Sequence, residues 1–133
     1  MKLSDIEGIG ALYEKKLNKA GIRSTDALLA KGGTPKGRAE LEKATGIGSK
    51  LILEWVNHAD LYRIKGVGSE YADLLEEAGV DTIVELGQRK ADNLHKAILA
   101  VNAKKKLVRR PPAASLVADW IAQAKKLKRA VQY

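Results

Sequence analysis

The chain contains no cysteine, no phenylalanine, three prolines and one methionine, and aromatic residues make up 5% of its 133 positions. The absence of cysteine excludes disulfides, thiolate metal sites and thiol nucleophiles, and it fits a reducing compartment. Without phenylalanine the core falls to Leu, Ile, Val and Ala, a palette that suits small, closely packed helices. No apolar run approaches the roughly 18 residues of a membrane-spanning helix. Met1-Lys2-Leu3-Ser4-Asp5 lacks the apolar run of a signal peptide. A soluble cytoplasmic protein is therefore expected. The scarcity of proline and the lack of low-complexity stretches argue against disorder, and 45% hydrophobic content is enough for a core.

What the chain does have is glycine in pairs, repeated. Ile6-Glu7-Gly8-Ile9-Gly10 and Ile64-Lys65-Gly66-Val67-Gly68 superpose at an offset of 58. The match continues through Tyr13/Tyr71, Leu17/Leu75, Ala20-Gly21/Ala78-Gly79 and Leu28/Leu86. Further on, Leu51, Ile52, Trp55, Val56 and Ala59 correspond to Leu116, Val117, Trp120, Ile121 and Ala124 at an offset of 65. The change of offset implies about seven inserted residues, best placed in 88–110. The chain reads as an internal duplication, with first half 3–60 and second half 61–129. Halves of this size are marginal alone, so a single domain over 1–133 is expected, the halves packed about a pseudo-twofold with Trp55 and Trp120 in matching core positions.

The local pattern is helical throughout. Ser4-Asp5-Ile6-Glu7 has capping-box form and predicts a very short helix that stops at Gly8. Helices are predicted over about 11–20, 25–31, 35–45, 49–60, 91–105 and 114–128, with Thr34-Pro35 as a helix start and Thr82 to Glu85 as a second capping box. Lys31-Gly32-Gly33 reads as a linker. The fold class expected is all-α.

Three G-h-G turns join these helices: Gly8-Ile9-Gly10, Gly46-Ile47-Gly48 and Gly66-Val67-Gly68. Glycine permits the tight turn, and the middle Ile or Val plugs into the core. The backbone N–H groups of the following helix are left facing solvent, where the helix dipole favours a phosphate oxygen. In these features the chain resembles the helix-hairpin-helix motif. That resemblance implies binding to the DNA backbone without sequence reading, often with a monovalent cation held by turn carbonyls. The same turn also serves simply to join two helices at a steep angle. Two positions after the second glycine stand Leu12, Lys50 and Glu70 in the three turns, so only Ser49-Lys50 is equipped for phosphate.

A second resemblance covers almost the whole chain. Thr34-Pro35-Lys36-Gly37-Arg38, Trp55-Val56-Asn57-His58-Ala59-Asp60-Leu61, Arg63-Ile64-Lys65-Gly66-Val67-Gly68 with Glu70-Tyr71, and Lys105-Lys106-Leu107-Val108-Arg109-Arg110 are similar to a bacterial family catalogued as a domain of unknown function. That family is itself similar to tandem helix-hairpin-helix domains. The resemblance implies a fold and carries no activity.

Charge is uneven. Lys and Arg number 24 against 16 acids, a net +8. Residues 1–103 hold 15 of each sign, so the excess lies in 104–133, where Lys104, Lys105, Lys106, Arg109, Arg110, Lys125, Lys126, Lys128 and Arg129 face only Asp119. The second half has no second G-h-G; Arg109-Arg110-Pro111-Pro112 stands near its place. Arginine suits bidentate phosphate contact, and such a patch attracts polyanions. A solvated charge run would carry the same residues.

Catalysis is not expected. His58 and His95 have no partners at ligand spacing, so no metal site is expected. No Ser/His/Asp arrangement, phosphate loop or dinucleotide fingerprint occurs, and Asp73 follows the third hairpin too closely for a glycosylase-like role. Asn57, His58, Asp60 and Arg63 read as a hydrogen-bond network between the halves. The expected function is non-catalytic, sequence-independent binding of DNA. It would use Gly46, Gly48, Ser49 and Lys50 with the basic residues of 104–129, and Gly8, Gly10, Gly66 and Gly68 as turns. No cofactor is implied. The alternative is a protein-interaction or scaffold module whose basic end docks an acidic protein.

Overall fold

The computed structural model describes all residues, Met1–Tyr133. The chain is all-α. A 3-10 turn, Leu3–Asp5, precedes α1 (Ala11–Lys19), α2 (Thr25–Gly32), α3 (Pro35–Thr45) and α4 (Ser49–Leu61). The next four helices are α5 (Ser69–Glu77), α6 (Ile83–Gln88), α7 (Ala91–Lys105) and α8 (Ala114–Lys126).

Helix starts follow local chemistry. The hydroxyls of Ser24, Thr34 and Thr82 accept the backbone N–H three residues on, at 3.1, 3.1 and 3.2 Å. Each satisfies one donor that the first turn of a helix leaves orphaned. Two readings of the sequence need correction. The first element is not capped by the Ser4–Glu7 pair: the Asp5 carboxylate accepts the Lys2 N–H at 3.1 Å instead, with Ser4 inside the turn. Nor is Lys31–Gly33 a linker. α2 runs through Gly32, which is buried so closely that a Cβ there would lie 2.5 Å from Cγ2 of Val56. The glycine is there for close approach of α2 to α4, not for slack.

The chain forms two compact units, Met1–Asp60 with Ala130–Tyr133, and Leu61–Arg129. In the first, Leu3, Ile6, Leu17, Leu28, Ile52 and Trp55 are among the residues fully removed from solvent. In the second, the buried set includes Ile64, Leu75, Leu86, Leu94, Ile98 and Trp120. Turn hydrogen bonds recur at the sequence offset of 58. Ile9 N–H donates to Ile6 O and Val67 N–H to Ile64 O, both at 3.2 Å; Ile22 N–H donates to Leu17 O and Val80 N–H to Leu75 O, both at 2.9 Å. Tyr13 packs on Trp55, and Tyr71 on Trp120, each with ring centroids 5.2 Å apart, a spacing at which aromatic pairs attract.

The difference in length between the units is distributed. The offset falls to 56 between the starts of α3 and α7, rises to 60 at their ends, and reaches 65 between the starts of α4 and α8. α6 is thus shorter than α2 by two residues, α7 is longer than α3 by four, and the loop after α7 is longer by five. That loop carries Arg109 and Arg110.

A candidate polyanion-binding loop and three glycine turns

α7 ends in Lys104-Lys105, and Lys106 turns the chain with φ +49°, the only non-glycine residue in the left-handed region. The matching position after α3 is Gly46, at φ +75°. A buried asparagine fixes the loop beyond this turn. Asn102 donates its Nδ2–H to Val108 O at 3.1 Å and accepts the Val108 N–H on Oδ1 at 3.0 Å. At the far end, His95 Nε2 meets Pro112 O at 3.1 Å. Val108 and Pro112 are buried, so the loop is held at both ends with Arg109 and Arg110 exposed between. Lys105 is paired with Glu77, which leaves Lys104, Lys106, Arg109 and Arg110 exposed and outside any ion pair. The loop then enters α8 at Ala113, which supplies no capping side chain. The N–H groups of the first α8 turn therefore have no side-chain acceptor at the cap.

Lys125, Lys126 and Lys128 are at least partly exposed too, but they sit at the other end of α8. Eleven residues of helix separate Ala114 from Lys125, about 17 Å of axial rise. They do not extend one continuous edge with Arg109; they form a second basic cluster. The place of Lys125 and Lys126 in the last turn also complements the negative end of the helix dipole. The stem of Lys125 lies along Gly87 of α6, and Arg129 makes an interaction of its own.

At the three glycine turns the middle residues Ile9, Ile47 and Val67 are buried. Gly8 and Gly66 hold φ +94° and +95°, and the Nε1 atoms of Trp55 and Trp120 lie 3.5 and 3.2 Å from where their Cβ atoms would be. Gly10 and Gly68 precede α1 and α5 with no side-chain cap. The third turn is further pinned by Gln123, which accepts the Lys65 N–H at 2.9 Å and donates to Lys65 O at 3.1 Å.

The second turn differs from expectation in one decisive respect. Gly46, Gly48, Ser49 and Lys50 are all exposed, but the Ser49 N–H donates to the Glu42 carboxylate. The place where a phosphate oxygen would sit already holds an internal anion. Sequence reasoning missed Glu42, Asn102 and the His95–Pro112 contact. Glu42 lies seven residues before Ser49, across the turn, and only the folded turn brings the two together.

The motifs that build the turns and the loop extend over nearly the whole chain. A family model described as Domain of unknown function (DUF4332) matches residues 7–127. The chain belongs to this family. No curated protein and no solved structure gives a match. The stretch that matches the DUF4332 model contains every glycine turn, both tryptophans and the basic loop.

Proposed function

We propose that the protein binds the phosphate backbone of DNA without reading sequence and without catalysis, as a tandem helix-hairpin-helix module whose main contact is the basic loop. The observation that carries this reading is the loop's anchoring. Arg109 and Arg110 are exposed between anchor points at Asn102 and His95. Preordered cations lose less freedom on binding than a flexible tail would. The neighbouring Lys104 and Lys106 add charge, and the uncapped start of α8 adds donors of the kind that accept anions. The uncapped starts of α1 and α5 offer the same chemistry with less positive charge, beside Leu12 and Glu70. At Ser49 and Lys50 a phosphate has to compete with Glu42.

The test is fluorescence anisotropy with duplex, branched and single-stranded DNA at low salt. Binding with little dependence on base sequence is expected, and Arg109→Ala/Arg110→Ala should weaken it at least tenfold. Absence of binding to all three forms would sink the proposal.

A second reading has its own support. The Glu42 carboxylate on Ser49, and Leu12 lying 66% exposed at the first turn, suit turns that act as structural joints in a module that docks an acidic protein. Pull-down from nuclease-treated lysate separates the two: partners that survive nuclease and are lost with Arg109→Ala/Arg110→Ala favour protein docking.

A further inference from the structure

α8 has cations at both ends, Arg109 and Arg110 in the loop before it and Lys125 and Lys126 in its last turn. Its inward face is set by burial. Val117, Trp120, Ile121 and Ala124 are 5% exposed or less, and the helix packs on α6 and α7. Helical spacing puts Ser115, Ala118, Ala122, Lys125 and Lys126 on the opposite face, with Asp119 at its margin. All six are exposed. Between the two sets of cations the face therefore carries short side chains and a single acid.

That acid is engaged. The Asp119 carboxylate accepts the Gln123 Nε2–H at 2.8 Å, one turn along the helix. The same Gln123 amide clasps the backbone of Lys65 in the third glycine turn, accepting its N–H and donating to its carbonyl oxygen. The turn is seated closely on α8, because a Cβ on Gly66 would lie 3.2 Å from Trp120 Nε1 and 3.9 Å from Leu116 Cδ1. Lys65 is exposed, so a further cation stands beside the middle of the helix.

We infer that the outward face of α8 is a docking face for double-stranded rather than single-stranded DNA. The duplex lies along the helix and meets Arg109 and Arg110 at one end, Lys125 and Lys126 at the other, and Lys65 between them. This rests on the DNA-binding reading above and adds the form of the DNA and the face it occupies. The two clusters stand about 17 Å apart on one helix, about five base-pair steps of a duplex at about 3.4 Å each. Duplex DNA stays straight over far greater lengths, its persistence length being about 50 nm. A duplex held by its phosphates at one cluster therefore presents others to the second without further ordering. A single strand has to be straightened to do the same, and that loss of freedom offsets much of the second contact. Ala118 and Ala122 let a phosphate backbone approach the helix closely. Alanine offers no hydrogen bond to a base edge, which suits contact without sequence reading.

The test is fluorescence anisotropy of the full chain with a duplex of about 12 base pairs, long enough to span both clusters, and a single strand of the same length. Lys125→Ala/Lys126→Ala should weaken duplex binding roughly fivefold or more and single-strand binding less than about twofold. Ala118→Glu should weaken duplex binding roughly tenfold, and Ala118→Lys should strengthen it. A folding defect cannot produce both signs at one exposed position, and urea denaturation of each variant checks that it is folded. Ala39→Glu, the same change of charge at an exposed alanine of α3, should alter binding less than about twofold. Binding that depends on Arg109 and Arg110 but on neither Ala118 nor the Lys125/Lys126 pair would overturn the docking face and leave the DNA-binding reading standing. Equal losses on duplex and single strand for the lysine pair would overturn the preference for duplex. Absence of binding to either DNA would overturn both readings together.

Discussion

Lys106 holds a left-handed conformation that its counterpart Gly46 adopts without a side chain. For an L-residue this costs about 1–2 kcal/mol, partly offset by the greater unfolded-state entropy of glycine. Lys106→Gly should therefore stabilise the protein by up to about 1 kcal/mol in urea denaturation, while weakening DNA binding. A loss of stability would show that the lysine side chain supports the fold. Glu42 poses the converse case. Glu42→Gln weakens the acceptor at the start of α4 and should cost about 0.5–2 kcal/mol, as lost caps do. If the second turn takes part in the proposed binding, it should also raise DNA affinity, because a neutral amide oxygen competes less well than a carboxylate with a phosphate for the Ser49 N–H; unchanged affinity would exclude the second turn from that binding. Glu40 offers a check on electrostatics. The hydrogen bond from Lys31 holds its carboxyl below the usual glutamate range, helped by the Lys31 charge, opposed by desolvation and helped last by Lys36. The folded pKa is lowered, so the ion pair's support is present above the unfolded pKa and is lost as pH falls through the folded one. NMR titration should place Glu40 below an ordinary glutamate, and Lys31→Ala should bring it back.

Among the elements, the loop after α7 depends on Asn102 more than on its own residues. Asn102→Ala leaves the Val108 N–H and O without their partner in a buried setting, a loss of about 1–3 kcal/mol. It should also loosen Arg109 and Arg110, so DNA affinity should fall although no cation has been removed. If affinity were unchanged while stability dropped, rigidity would not matter to binding. The helices themselves were largely legible. Ser24, Thr34-Pro35 and Thr82 mark starts by chemistry that acts within one turn, and the structure uses all three. The ends of α3 and α7 at Thr45 and Lys105 also agree with the pattern. Legibility failed where a residue's role depends on distant packing. Gly32 and Gly33 read as flexible until Val56 and Ala130 come against them. Arg38 on α3 is buried and donates to Gln132 O, 94 residues away, a role that the sequence around it does not mark. Neither contact leaves a trace in local propensity or periodicity.

At the scale of the whole molecule, charge divides unequally between the units. Leu61–Arg129 holds 14 basic and 8 acidic residues, and the rest of the chain holds 10 and 8. Most of the net +8 thus belongs to the unit that contains the loop, and the proposed DNA binding would depend on how many of its cations meet phosphates. If Lys104, Lys106, Arg109 and Arg110 make about three or four phosphate contacts, log affinity should fall with log salt at a slope of roughly −3, from about 0.9 per contact. Between about 50 and 200 mM salt that is a loss of roughly 50- to 100-fold. Arg109→Ala/Arg110→Ala should flatten the slope by about 2, whereas Lys125→Ala/Lys126→Ala, about 17 Å along α8, should change it less. A duplex long enough to reach both clusters would restore some dependence on the second pair, so the comparison should be run with short and long duplexes. Equal slope changes for both pairs on a short duplex would mean that diffuse charge, not the anchored loop, holds the DNA.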